Sequence, residues 1–494
     1  MELDHDLASI QEVRNLLKQA QKAQDILKSF NREQVEKIVD ALRIAGEAEA
    51  CRLAAMAVNE TGMGNYEDKC FKNFFAARYV YEYMKDMQTV GIIRKDEAKK
   101  IWEIAEPVGV IAGIIPTTNP TSTIIYKSMI ALKARNAIVF SPHPTAVHCT
   151  AEAAQVMNKA AVAAGAPEGV IGCLTNISLG ATQELMKNSI TKLILATGGE
   201  GLVRAAYSSG KPALGVGPGN VPAFVERSAD IAGAAKCIVT GKSFDNGTIC
   251  ASEQSIVAEA CIAAELKEQL KRQGAYFLDP EEVKKVAKVA ILPNASHGMN
   301  PKIVGRNPQA IAALAGINVP DNAKCLVAPM SGVGPQWPLS YEKLSTILGY
   351  YEVKDWHEGC ERCIELLENG GIGHSLAIHS NNQEIIEEFA LKKSINRILV
   401  NTPSALGGVG ATTGLAPSFT LGCGTWGGSS VSENVTPLHL INTKRVAWHL
   451  RMPEGPSIQP MSSVSTPVAN STLDAKFVET VIAQVMKAMI NNKI

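Results

Sequence analysis

Over residues 107–226, short β-branched runs (VGVIAGIIP, AIVFS, TKLILAT, PAFVE) alternate with Ala-rich helical stretches (TSTIIYKSMIALKA, AVHCTAEAAQVMNKAAVAAG, GEGLVRAAYSS). No other feature constrains the fold as strongly. Parallel neighbours need a crossover of a dozen or more residues, usually a helix, so the pattern predicts an α/β architecture on a parallel sheet. Ligands of open α/β sheets bind beyond the carboxyl ends of the strands, which directs the search for chemistry to the loops after these runs. With 494 residues, 46% of them hydrophobic, the chain has material for two or three domains with large cores.

The remaining segments are assigned around this block. Amphipathic helices are expected over residues 7–87, followed by a strand pair in which TVGIIR and KIWEIAE flank a turn at Asp96 and Glu97. Together with the alternating block they make a nucleotide-binding domain over residues 1–226. A second α/β domain spans 227–423, and a return segment with an oligomerisation strand, expected to reach another subunit, spans 424–450. Residues 451–471 (RMPEGPSIQPMSSVSTPVANS) read as a Pro- and Ser-rich linker. Residues 472–494 read as an amphipathic helix with Thr472 as N-cap, and Leu473, Phe477, Val478, Val481, Ile482, Val485, Met486, Met489 and Ile490 form one stripe. The stripe needs a partner surface: its own oligomer or another protein. A membrane surface is disfavoured by the few charges opposite it.

Lys+Arg and Asp+Glu both number 48, so overall charge offers no case for nucleic acid or an anionic membrane. The start of the chain is acidic and no apolar run reaches the length of a membrane span, so a cytosolic location is expected. Eleven scattered cysteines predict reduced thiols rather than a disulfide framework. Cys360 and Cys363 are read as spare positions of a helix, HEGCERCIELLEN, and no metal site is expected.

The most informative segment is SFDNGTICASEQS, residues 243–255. A cysteine is a strong nucleophile when its thiolate is stabilised, and it forms transferable thioesters. Cys250 follows a Gly and precedes small residues, which suits a loop whose N–H groups meet an oxyanion. FDNGTICASEQS resembles the nucleophile motif of the aldehyde dehydrogenase superfamily, in its coenzyme A-acylating branch. EPVGVIAGIIPTTNPTS, LILATGGEG, AAYSSGKPALGVGPGN, YEKLS, GGIGHS and LGCGTWGGSSVSENV are similar to that branch in the same order. The similarity extends to the aldehyde-oxidising half of bifunctional aldehyde–alcohol dehydrogenases and to stand-alone acetaldehyde, propionaldehyde and succinate-semialdehyde enzymes. It implies an aldehyde dehydrogenase-like fold with a Rossmann-type cofactor domain and an α/β catalytic domain.

The resemblance also implies roles. Cys250 would attack the aldehyde, with the oxyanion held by its own N–H and by Asn119. NAD would lie over Ile114, Ile115, Pro116, Thr117, Thr118 and Asn119, with Gly199 near its phosphates, Gly217 allowing close approach of the ring, Glu342 on the ribose and Leu421 as a further contact. His374 would assist proton transfer. His143 stands where hydrolytic relatives carry a Lys, and the absence of a cationic cluster there favours NAD over NADP. Hydrolytic relatives also place a Glu in the segment that reads GVGPG here, residues 215–219. Loss of such a base would slow attack by water about 10²- to 10⁴-fold, leaving coenzyme A as the expected acyl acceptor. A hydrolytic enzyme, an acyl-phosphate reductase and an inactive scaffold stay open as alternatives. The tail resembles the encapsulation peptides that send such enzymes into bacterial microcompartments, implying shell or co-encapsulated partners and a homo-oligomer.

Overall fold

The computed structural model describes residues 4–292, 298–455 and 474–491. Numbered in chain order, β3 (Val110–Ile114), β4 (Ala137–Ser141), β5 (Ile171–Cys173), β6 (Thr191–Thr197) and β7 (Ala213–Val216) form a parallel sheet ordered β5-β4-β3-β6-β7. All residues of β3 and β4 are buried. Helices on both faces cause this, and it explains why the strands read as continuous apolar runs rather than alternating ones. The order reverses between β3 and β6, so the crevice beyond Ile114 and Thr197 is the topological switch point where ligands of such sheets bind.

A second parallel sheet contains β8 (Val221–Val225), β9 (Glu253–Glu259), β10 (Ala275–Phe277), β11 (Cys325–Pro329), β12 (Ile347–Val353), β13 (Leu376–His379) and β14 (Ile398–Val400), ordered β10-β11-β12-β9-β8-β13-β14. The run PAFVE, expected in the nucleotide-binding block, is β8 and belongs to this second sheet. The reason is geometric: residues 217–220 are too few for the crossover that a parallel neighbour of β7 requires, so the chain passes to a different sheet. The first sheet therefore closes with β7 and the second opens with β8.

The third sheet is antiparallel, β1 (Gly91–Asp96), β2 (Ile101–Pro107) and β15 (Ile441–Ala447), in the order β1-β2-β15. The expected hairpin around Asp96 is present. The strand of the return segment pairs with β2 of its own chain, from Ile441 opposite Pro107 to Ala447 opposite Ile101.

The helix His5–Leu27 packs on β3, β4 and β5 beside the helix Leu179–Lys187, whereas Arg32–Ala48, Ala50–Thr61 and Tyr66–Met84 pack on the helices Pro120–Lys133 and Val147–Ala163. Val13, Leu17, Ala20 and Leu27 recur at helical spacing and are buried. Asn31 and Gln34 form a capping box at the second helix. The third and fourth helices lie against one another and bring Cys51 and Cys70 to a Cα–Cα distance of 4.5 Å, where they are joined as a disulfide. This corrects the expectation that every cysteine is a thiol: the bond links neighbouring helices, and spacing in sequence does not reveal that contact. Cys360 and Cys363 occupy buried positions of the helix Trp356–Glu368, as expected.

Residues 1–447 make one compact unit and 448–494 another. In the latter, the helix Ala475–Asn491 leaves Phe477, Val478, Val481, Ile482, Val485 and Met486 exposed. Thr472, Leu473 and most of the expected linker lie outside the described residues, as do the side chains of Met489 and Ile490. Among the described residues no helix is long and apolar enough to cross a membrane, and no group of three or more His, Cys, Asp or Glu is placed to hold a metal ion.

Candidate active site

The helix Ile231–Ser243 runs into a 3₁₀ turn, Phe244–Gly247, which delivers Cys250 just ahead of β9. Within the turn Asp245, Asn246 and Gly247 have φ of 46°, 53° and 74°. A non-glycine residue in this region costs roughly 1–3 kcal/mol and persists where its surroundings over-determine it. Here Asp245 N–H donates to Asp68 Oδ2 at 2.7 Å, and Asn65 N–H donates to Asp245 Oδ1 at 2.9 Å. Asn246 Nδ2 donates to the carbonyls of Gly64 and Gly305 at 3.1 and 3.0 Å. The nucleophile loop is thus clamped to the start of the helix Tyr66–Met84.

Cys250 opens into a cavity of about 510 Å³ at the switch point of the first sheet. Residues 116–119 line it from the end of β3, 197–199 from the end of β6 and 216–218 from the end of β7; Glu342, Phe419 and Leu421 complete the wall near Cys250. Gly199 is the N-cap of the helix Glu200–Tyr207, so that helix opens at the cavity. At Gly217 a Cβ would meet only the Gly427 carbonyl oxygen, at 4.0 Å, which leaves its cavity side open to a close ligand. Asn119 is the N-cap residue of the helix Pro120–Lys133, yet its side chain makes no capping bond. Instead Oδ1 accepts from the Lys72 ammonium, and Nδ2 donates to Thr118 Oγ1 at 3.1 Å and to the Thr248 carbonyl at 3.4 Å.

The electrostatics hold Cys250 as a thiol and bring Glu342 close to half-ionisation near neutral pH. Burial pushes the Cys250 thiol up to about 12, the Glu342 carboxylate adds to that rise, and the Arg397 guanidinium opposes it. Burial raises Glu342 itself to about 7, against a stabilising bond from Gly219 N–H to Oε1 at 2.9 Å. Residues 215–219 carry no carboxylate, as read from sequence, but Glu342 brings one into the same cavity from another segment.

A model of the aldehyde dehydrogenase family matches residues 4–277. The chain belongs to the aldehyde dehydrogenase family. It is 45% identical over 455 residues to the bifunctional aldehyde-alcohol dehydrogenase of Escherichia coli K12, covering 90% of this chain and 51% of that one. It therefore spans about half the length of that relative. It is 37% identical to the succinate-semialdehyde dehydrogenase (acetylating) of Clostridium kluyveri, over 90% of this chain and 98% of the relative. Among solved structures, an acetylating aldehyde dehydrogenase from Geobacillus thermoglucosidasius superposes with a TM-score of 0.90 at 54% identity, covering 92% of this chain and 100% of that one. A propionaldehyde dehydrogenase from the fucose utilisation microcompartment of Clostridium phytofermentans gives 0.81 at 30%, covering 88% and 97%. That of Rhodopseudomonas palustris with bound propionyl-CoA gives 0.80 at 29%, covering 88% and 94%.

Within this aldehyde dehydrogenase frame, the cavity gathers Cys250, Asn119, Pro116, Thr117, Thr118, Gly199, Gly217, Glu342, Leu421 and His143. It does not gather Ile114 and Ile115. Both side chains are buried in the core, the Ile114 carbonyl accepts from Lys127 and the Ile115 N–H donates to the Ser141 carbonyl, so the cavity wall from this segment begins at Pro116. His374 is also absent from the lining. It is fully buried behind Gly219, its Nδ1 lies 3.0 Å from Ser375 Oγ, and burial with nearby Arg397 holds it down to about 3. It is a neutral imidazole outside the cavity lining, and its Nε2 has no hydrogen-bond partner among the described residues. The sequence reading assigned no role to Lys72 or Gly219, nor to Asp245 and Thr248 within the nucleophile motif; two lysines one helical turn apart and a glycine among glycines single out nothing without the fold.

Proposed function

We propose that this chain oxidises a small aldehyde to its acyl-CoA, with NAD⁺ as hydride acceptor and coenzyme A as acyl acceptor. The observation that carries this reading is that Cys250 and the Asn119 amide share one cavity at the switch point, while residues 215–219 offer no base for water.

Cys250 Sγ bonds to the carbonyl carbon, and the resulting oxyanion is met by the Cys250 N–H and Asn119 Nδ2. Glu342, poised near neutrality, is the group in the cavity suited to receive the thiol proton. Residues 116–118, the helix opening at Gly199 and the open face of Gly217 suit an extended dinucleotide, which supplies the hydride acceptor when bound. The cavity lining among the described residues contains no Lys or Arg, and burial lowers His143, so nothing there is built for a 2′-phosphate and NAD⁺ is favoured. The acyl group then sits on Cys250 as a thioester; the coenzyme A sulfur gives up its proton and bonds to the acyl carbon, and the bond to Cys250 breaks, returning Cys250 as a thiolate that regains a proton.

Glu342 favours a second reading, in which the same carboxylate primes water and the product is a free acid. Acetaldehyde with NAD⁺, with and without coenzyme A, separates the two. Sustained NADH formation and acetyl-CoA only when coenzyme A is present support acyl transfer; sustained NADH with acetate in its absence supports hydrolysis.

The exposed stripe of the helix Ala475–Asn491 fits a docking peptide, and the relative from a fucose utilisation microcompartment supports placing this chain in such an organelle with shell or co-encapsulated partners. Its own oligomer is the other partner. Deleting residues 457–494 tests this: retained activity with lost co-localisation with shell proteins supports docking, and loss of the oligomer supports self-packing.

A further inference from the structure

The helix Tyr66–Met84 buries two lysines, Lys69 and Lys72, beside the nucleophile loop. Lys69 Nζ donates to the Thr118 carbonyl at 2.9 Å and to Asp245 Oδ2 at 3.0 Å. Lys72 Nζ donates to Asp245 Oδ2, to Thr248 Oγ1 at 3.3 Å and to Asn119 Oδ1. Thr248 Oγ1 in turn donates to Asp245 Oδ2 at 2.6 Å.

Burial lowers Lys72 to about 7 and the Asp245 carboxylate opposes that fall; in its protonated form, three acceptors around the nitrogen use the three hydrogens of an ammonium, and an ammonium accepts nothing. The atom of the Asn119 amide facing Lys72 must therefore be its oxygen. That fixes which way the amide is turned, and it aims the NH₂ group to the opposite side, toward Thr118 Oγ1 and the Thr248 carbonyl in the cavity wall. A cation on the amide oxygen also draws electron density from its N–H bonds and makes them stronger donors. The same ammonium holds Thr248 and Asp245 in the loop of Cys250, so it ties the donor of the oxyanion to the nucleophile that creates it.

We propose that Lys72 is a positioning residue for acyl transfer, setting the flip and donor strength of the Asn119 amide. The inference rests on the role given to Asn119 above. The alternative is that Lys72 only neutralises buried Asp245, as Lys69 also does.

A double-mutant cycle on the full chain separates them, measured as acetaldehyde-, coenzyme A- and NAD⁺-dependent NADH formation for wild type, Lys72→Met, Asn119→Ala and the double variant. Removing an oxyanion donor costs about 10²- to 10³-fold in kcat. Lys72→Met is expected to lower kcat by roughly 10²-fold, with KM for NAD⁺ within about 3-fold, and to lower it less than about 3-fold further in the Asn119→Ala background, since residues acting as a unit are non-additive. Equal losses in both backgrounds, or a Lys72→Met enzyme within about 3-fold of wild type, overturn the proposal. Wild-type kcat in Asn119→Ala would overturn the role of Asn119 itself and this inference with it. Should Lys72→Met not fold, Lys72→Gln, which keeps a neutral donor at this position, enters the same cycle with the same criteria and a smaller expected loss.

Discussion

The backbone N–H of Gly219 donates to Glu342 Oε1 at 2.9 Å, while the Cα of the same glycine is turned toward the Cys250 peptide. A Cβ built there would stand 2.1 Å from the Cys250 carbonyl oxygen. The Glu342 carboxylate and the nucleophile are therefore indexed to one another through a residue that has no room for a side chain.

Gly219→Ala is accordingly expected to displace the Cys250 peptide, because the obstructing atom is backbone and cannot rotate away. Overpacking costs about 1–3 kcal/mol, and a displacement near 1 Å in a catalytic site costs about 10²-fold in rate. Thermal unfolding and kcat on the same preparation check both, and an Ala variant with unchanged kcat would show that the Cys250 geometry is not set here.

Cys250→Ala is expected to abolish acyl-CoA formation and to leave NAD⁺ affinity nearly unchanged, since the residues suited to the dinucleotide lie on other loops. Calorimetric titration with NAD⁺ beside the activity assay measures this. Acyl-CoA production close to wild type would mean that another group carries the acyl chain.

Glu342→Gln removes a negative charge that raises the Cys250 thiol. The sign is fixed: without that charge the thiolate forms at lower pH. The pH midpoint of Cys250 alkylation by iodoacetamide is expected to fall below that of wild type, and a midpoint that stays or rises would contradict the coupling. Glu342 also has a stability signature. Its folded value, about 7, lies above the ordinary carboxylate value of 4.5. The native state thus holds the proton while the unfolded chain has lost it, and this contribution is present below about pH 4.5 and lost as pH rises toward 7. Relative to the Glu342→Gln variant, the wild-type carboxyl should become destabilising over that interval, which denaturant titrations at several pH values would detect.

His374→Gln is expected to leave the pH profile of kcat between about 6 and 9 unaltered, because burial holds His374 near 3 and it does not change charge in that interval. A limb of the profile that disappears in the variant would restore a proton-transfer role.

Much of the fold was legible because β3, β4 and β6 are long enough to read as buried β-branched runs. Three-residue strands such as β5, β10 and β14 give periodicity too little to act on. The misplacement of β8 was avoidable, since the few residues between β7 and β8 forbid a crossover within one sheet. At the site, Cys250, Asn119 and Glu342 were recognisable from their motifs, whereas Lys72 acquires meaning only from what tertiary folding brings beside it. His374 was recognisable from its motif, and its burial behind Gly219, outside the cavity lining, was not.

The most direct measurement is a single turnover of the full chain with acetaldehyde and NAD⁺ but no coenzyme A, stopped in acid and examined by peptide mass spectrometry. An acetyl group on the Cys250 peptide that persists over time and is discharged as acetyl-CoA on adding coenzyme A is the expected result. Free acetate appearing as fast as NADH, with no acetylated Cys250, would contradict a thioester held from water.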